Sequence, residues 1–481
     1  MAALLLGGAM APVFAADVKN LSVTVSSGTQ ANAYGGYTIE EGASALQNAL
    51  TLSGPAKVLG ASAGGWSRLG NAEWNTLTIR LDEDGLLGPS DIVGGGVAES
   101  EGGGAAVHNT VYIESGTVEG TVEGGVAVGI NGVGDGTGDV LSNQVTMSGG
   151  TVYSVFGGET GEGNANDNVV TIKGSAAVTG KSNAVYGGYT IDGNASGNIV
   201  NIEDDADIHG EIMGGYTRAG SLISGNKVNV TGGNVNENTV YGVYTAYGDV
   251  LDNQAVIKGT GQAGSSDTNS VYAGFTNIGA AAGNILYIQD SAEIAGSAFA
   301  GYQGGFISSE TVERNQVFMS GGSVGGDLTG GGSNNGGETL NNYVEITGGT
   351  VSGNVYSGFT DSADALENTL TVAGGRVEGS LFGGYSNTGT ANENKLTFSA
   401  GTAGSDAYGG YAQEGADGNE AVLSGTSVLE GNAAGGSSAR GEASGNSLTI
   451  KENSEVKGDA AGGDVYMGTI SKNIITIQYN A

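Results

Sequence analysis

One pattern recurs along almost the whole chain: Asn, any residue, an apolar residue, any residue, a second apolar residue. It starts at Asn48, Asn75, Asn109, Asn143, Asn168, Asn198, Asn226 and Asn253, then at Asn284, Asn315, Asn342, Asn368, Asn394, Asn419, Asn446 and Asn473. The intervals run from 25 to 34 residues and average about 28. Five residues with apolar alternation make a short half-buried strand, too small to bury a face alone. Such units become stable only by stacking on their equivalents in neighbouring repeats. Stacking places the residues at +2 and +4, such as Val170 and Ile172, in a shared core. It also places equivalent Asn residues over one another. Asn143, Asn168, Asn198, Asn226, Asn253, Asn284, Asn342, Asn368 and Asn394 are therefore expected to hydrogen-bond along the axis as a ladder.

A second landmark reads apolar, aromatic, small, Gly, aromatic, Thr or Ser, as in Val185-Tyr-Gly-Gly-Tyr-Thr190 and Val355-Tyr-Ser-Gly-Phe-Thr360. Its last aromatic holds a fixed distance from the following Asn: Tyr189, Tyr244, Phe275, Phe359 and Tyr385 each precede theirs by nine residues. With Tyr216, these rings are expected to form a parallel stack, one ring per coil. Such a stripe is either corner packing or, if exposed, a platform for carbohydrate. A shorter element, such as Gly349-Thr-Val-Ser-Gly353, lies between the landmarks and absorbs most of the length variation. Gly and Asn are expected to supply the positive φ of the tight corners.

The fold class that follows is all-β: a parallel β-helix (β-solenoid) with three short strands per coil and about 16 coils of about 28 residues. No segment shows a sustained 3.6-residue apolar period. A propeller blade needs about 40 residues and four strands, and the Leu consensus of a leucine-rich repeat is absent. The 94 Gly residues suit close backbone approach at corners. Handedness is not set by the pattern.

Composition narrows the function. Sixteen basic against 50 acidic residues give a formal charge of −34, which argues against nucleic acid and against docking on anionic lipid. With no Cys, the chain has no disulfide, thiolate catalyst or cysteine zinc site. Residues 1–15 read as a secretory signal peptide: an apolar run, Pro12 near its end, and small Val13 and Ala15 before the cut, though without a basic start.

The export signal followed by Gly- and Asn-rich repeats of Asn-x-Val-x-Ile and Val-Tyr-Gly-Gly-Tyr-Thr resembles an autotransporter passenger domain of type V secretion. The resemblance covers the whole chain and rests on architecture, with no catalytic motif. It implies a right-handed parallel β-helix over 16–481, display at the cell surface or outer membrane of a Gram-negative bacterium or release from it, and adhesion or aggregation through host-surface, matrix or sister-cell ligands. The family ends in a membrane β-barrel. This chain closes on a repeat strand, Asn473–Ile477, and Asn480-Ala481, so the barrel translocator is absent from it and outer-membrane anchoring is expected of a part beyond it.

Candidates for chemistry are few. The acid-rich stretches offer Asp135, Asp139, Asp204, Asp205 and Asp207 to calcium, against the plainer reading of solvated loops. His209 beside that cluster could serve as a base, and His108 stands a hundred residues away. No nucleophile elbow, phosphate loop or basic patch is present, so neither a catalytic residue nor a cofactor is assigned. The two 34-residue intervals, from Asn75 to Asn109 and from Asn109 to Asn143, carry extra loops where a binding surface is sought first. The expected function is a non-enzymatic displayed passenger. The alternative is a secreted polysaccharide-active β-helix enzyme, a lyase or hydrolase.

Overall fold

A computed structural model describes residues 17–89, 92–99, 103–129, 135–182, 184–236, 238–264, 271–305, 310–334 and 336–478. The expected signal peptide, 1–15, lies outside these residues. No α-helix occurs among the described residues, and their strands pair in parallel. The chain forms two compact units, Met1–Asn238 and Thr239–Ala481, and each is a β-solenoid. Seven of the recurring Asn residues belong to the first and nine to the second.

The register within each unit follows the sequence repeat. In the first, Thr76–Leu81 lies between Ala49–Gly54 and Thr110–Ser115, matching Leu77 to Leu50 and Val111, and Ile79 to Leu52 and Ile113. The same columns run on through Val145 and Met147, Val170 and Ile172, and Val200 and Ile202. In the second unit Val317, Val344, Leu370 and Leu396 form the equivalent column. These residues are at most 1% exposed. A one-residue slip would turn every one of them outward, so burial itself fixes the register.

Most turns show the three expected strands, and in some two of them run on as one, as in Thr117–Val128 and Thr369–Val377. Most turns add a fourth, of two or three residues, just before the Asn: Ala72–Glu73, Ala165–Asn166, Val312–Glu313 and Ala391–Asn392 are examples. Within the two 34-residue intervals, 90–91, 100–102 and 130–134 lie outside the described residues.

The corner before each Asn departs from expectation. The residue there always has positive φ, but Gly or Asn holds only six of the sixteen places. Gln47 (φ 55°), Trp74 (58°), His108 (56°), Arg314 (53°), Glu367 (55°) and Lys472 (55°) all adopt the left-handed conformation. A non-Gly residue in that region costs about 1–2 kcal/mol. The corner persists because it turns the following Asn inward, where the amide makes the bonds described below.

Replacing Val170 by Asp places an unpaired charge in a fully buried column. The expected loss is about 4 kcal/mol or more, seen as a lowered midpoint of urea unfolding. An unchanged midpoint would mean that the side chain does not face a core.

Candidate functional site

The ladder holds at all the Asn positions expected of it. Asn143 donates from its backbone N–H and from Nδ2 to Asn168 Oδ1, each at 3.0 Å, and from Nδ2 to the Ala106 carbonyl at 2.9 Å. Asn168 repeats this onto Asn198, Asn198 onto Asn226, Asn253 onto Asn284, Asn342 onto Asn368 and Asn368 onto Asn394. Asn48, Asn75 and Asn109 extend it in the first unit, and Asn315, Asn419, Asn446 and Asn473 in the second. In a typical ladder Asn both lone pairs of Oδ1 and both Nδ2 hydrogens are used, which is what allows an amide to be fully buried. The wall facing the ladder must be Gly. A Cβ on Gly188 or Gly358 would collide with the amide of Asn198 or Asn368. Every turn keeps Gly there except the one with Val243, for which we have no structural explanation.

The end of the aromatic landmark was not read as functional from sequence, yet it ties successive turns together. Thr190 Oγ1 donates to the Gly163 carbonyl at 2.8 Å, Thr276 Oγ1 to Gly248 at 2.9 Å, and Ser386 Oγ to Ala363 at 2.6 Å. The Thr or Ser at a fixed place in most repeats was the available signal.

The aromatic stack is present and is double. In Val185–Thr190 the pairing skips Gly187, so Tyr186 and Tyr189 share one face although they stand three apart. Rings of neighbouring turns lie parallel: Tyr189 on Tyr216 at 4.8 Å and 6°, Tyr244 on Phe275 at 5.1 Å and 10°, Phe359 on Tyr385 at 5.5 Å and 12°. Within a turn they meet edge to face, as Phe382 and Tyr385 do at 5.2 Å. Tyr189, Tyr216, Tyr244, Phe275, Phe359 and Tyr385 are half-buried, mainly covering one another. In the second unit the columns break at Leu328–Ser333, where Thr329 and Gly332 replace the rings and Tyr302 leans over Gly332.

The calcium candidates are dispersed into structural work. Asp139 Oδ1 accepts from the Asn164 backbone N–H at 2.9 Å and from its Nδ2 at 3.1 Å. Asp204 occupies a left-handed corner and accepts from the Gly174 N–H, Asp207 pairs with His209 Nε2 at 2.9 Å, and Asp135 and Asp205 are exposed. Among the described residues no three His, Asp or Glu side chains come together around a metal-sized space. His108 stacks on Trp74 at 4.1 Å, ring on ring, between two left-handed corners.

Two features escaped the sequence reading. Tyr287 and Phe318 stack at 5.4 Å on the outer side of the Asn strands and line a shallow groove of about 240 Å³ with Gln289, Ser320 and Glu345. In the first unit Glu123 and Glu159 occupy, on adjacent strands, places that other turns give to aromatic rings, and the two carboxyl groups act on each other. Glu123 is 1% exposed and Glu159 partly buried. Burial pushes the Glu159 carboxyl up to about 7, against the opposing pull of Glu123. The sequence signal was a carboxylate where the landmark calls for an aromatic.

Burial also raises the phenol of Tyr189 from 10.0 to about 12, and that of Tyr186 further. Both phenols stay protonated in the fold above the pH at which an unfolded tyrosine ionises. Their contribution to stability is therefore complete below the ordinary value of 10.0 and lost as pH rises through the folded value. Spectrophotometric titration is expected to show two steps, exposed tyrosines first and stacked ones later with unfolding. Tyr189→Phe is expected to shrink the late step, whereas a single early step for all tyrosines would contradict the buried stack. Comparison of the chain with protein-family models, with curated proteins and with solved structures finds no match, so its function has to be argued from geometry.

Proposed function

We propose that the chain is a non-enzymatic scaffold exported for display at a bacterial surface, of the autotransporter-passenger kind, acting in adhesion or aggregation. The observation that carries this reading is how its polar side chains are used. Turn after turn, the buried amides and hydroxyls are consumed by neighbouring turns, as in Asn342 to Asn368 and Thr190 to Gly163. A scaffold built this way presents its outer face as the variable part. That face carries stacked aromatic rings and a large acid excess, with −34 formal charges in all. Ligands that fit are neutral or cationic surfaces of host, matrix or sister cells, because polyanions are repelled. Anchoring in an outer membrane through a β-barrel outside this sequence belongs to the same proposal.

The polysaccharide-active alternative has one observation in its favour, the paired carboxyl groups of Glu123 and Glu159. Glycoside hydrolysis needs two carboxyl groups about 5–9.5 Å apart with the scissile bond or a water between them. Glu123 and Glu159 sit on adjacent strands and act on each other directly, and no cleft for a sugar is seen between them among the described residues. The scaffold reading is the better supported.

The test is a deletion and shaving experiment in the source cells. Protease added to intact cells is expected to remove the repeats, and deletion is expected to reduce cell–cell or cell–matrix attachment, with purified protein leaving acidic and neutral polysaccharides uncut. Protection of the repeats inside intact cells, or depolymerisation that depends on Glu159, would overturn the proposal.

A further inference from the structure

The outward column of the Asn strands is polar in most turns. In the first unit Thr146, Thr171, Asn201 and Asn229 stand there in register. Asn201 Nδ2 donates to Thr171 Oγ1 at 3.2 Å, and Asn229 Nδ2 to Asn201 Oδ1 at 2.8 Å. In the second unit the equivalent column runs through Tyr287, Phe318, Glu345 and Thr371. Two rings thus face outward on strands whose core is already supplied by Leu286, Ile288, Val317 and Met319, each at most 1% exposed.

Tyr287 and Phe318 are parallel within 18°, so each covers one face of the other. No ring continues the stack, because Glu345 holds the place in register with Phe318 on the next turn. Phe318 therefore keeps a face that no parallel ring covers, bordered by Tyr343 at 5.9 Å and tilted by 55°. The polar groups of the surrounding groove are the Gln289 amide, the Ser320 and Thr347 hydroxyls and the Glu345 carboxylate.

This rim selects a chemical class. None of the lining residues is Lys, Arg or His, so an anion finds no countercharge. The amide both donates and accepts, as do the hydroxyls, while the carboxylate only accepts. A ligand made of hydroxyl groups can use all of them. An ammonium ion only donates, which leaves the amide hydrogens idle, and two parallel rings make a floor where a quaternary ammonium asks for a cage. A peptide finds no edge to join, since Gln316–Met319 already pairs on both sides with Ile285–Ile288 and Tyr343–Ile346. The groove, about 240 Å³, is smaller than the roughly 300–1,000 Å³ that a drug-sized molecule occupies, so it suits one ring of a longer ligand.

We propose that Phe318 and Glu345, supported by Tyr287 and Tyr343, form a binding site for one pyranose ring of a neutral glycan. The C–H face of the sugar continues the stack on Phe318, and its hydroxyls bond to Glu345, Gln289, Ser320 and Thr347. The inference deepens the adhesion reading, on which its biological sense rests, by naming the ligand class.

The experiment is affinity electrophoresis of the whole chain through gels holding a soluble β-glucan, mannan or galactan, with alginate and a polymer-free gel as controls. The formal charge of −34 carries the protein through the gel, and binding is read as retardation. At least one neutral polymer is expected to retard it and alginate is not. Phe318→Ala is expected to weaken the retardation on the order of tenfold, and Phe318→Tyr to preserve it. Tyr287→Ala, which removes the ring behind Phe318, is the second weakening variant, and an unchanged circular dichroism spectrum separates either effect from misfolding. Glu345→Gln keeps an accepting oxygen and is expected to change binding by less than about threefold. The proposal is overturned by no retardation in any of the three neutral polymers, by equal retardation in alginate, or by retardation that persists in well-folded Phe318→Ala and Tyr287→Ala. It is also overturned by binding that Glu345→Gln abolishes and tetramethylammonium relieves, the mark of a cation site. Retardation by purified protein whose repeats are protected inside intact cells would instead sink the display reading and leave the site standing.

Discussion

Everything in this molecule depends on a buried amide whose hydrogen-bonding capacity is used up by its neighbours. A lone Asn in an apolar interior would be a large penalty. Stacked on copies of itself, each Asn accepts twice at Oδ1 from the preceding turn and donates from Nδ2 both forward and back, as Asn342 does to Asn368 Oδ1 in the next turn at 2.9 Å and to the Val312 carbonyl in the turn before at 2.9 Å. The same group that would forbid a single coil therefore specifies the stacking of many. It fixes axial register independently of the Val and Leu columns, and the two agree. Such consistency between levels is what makes one arrangement win.

Other features serve that amide. The left-handed corner before it, strained at Arg314 or Trp74, aims it inward. The facing Gly, as at Gly188, leaves space for it. The hydroxyls of Thr190 and Ser386 close the next corner by bonding to the preceding turn. The outer face is thereby freed from holding the fold, which is why rings, glycines or acids can all occupy the aromatic positions. Phe156, Gly332 and Glu123 are three such occupants.

What was legible in the sequence was whatever recurs in type and spacing together. The Asn ladder, the Val170 and Ile172 columns and the stacking of Tyr189 on Tyr216 could be read because each repeat states them again. The corners were legible only where Gly or Asn holds them, as at Gly197 and Asn341. Gln47, Trp74, Glu367 and Lys472 share a conformation but no chemistry, since the bonds of the next residue impose it. The second ring column was hidden by the skipped Gly187, which breaks the period of two on which strand reading rests. Glu123 and Glu159 are 36 residues apart and come onto adjacent strands, which only the register reveals. The calcium candidates Asp139 and Asp207 show the opposite failure: clustering in sequence that bonding to Asn164 and His209 disperses in space.

The directionality of the ladder gives its most direct test. Removing the amide in Asn368→Ala takes the acceptor from the Asn342 N–H, while the Asn394 N–H still donates to Asn419 Oδ1. Residue-resolved exchange in this variant is expected to show the Asn342 amide losing protection on the order of tenfold more than the Asn394 amide. Equal protection of the two, or no change at either, would mean that the turns are held by their apolar columns and that the Asn ladder is only their consequence.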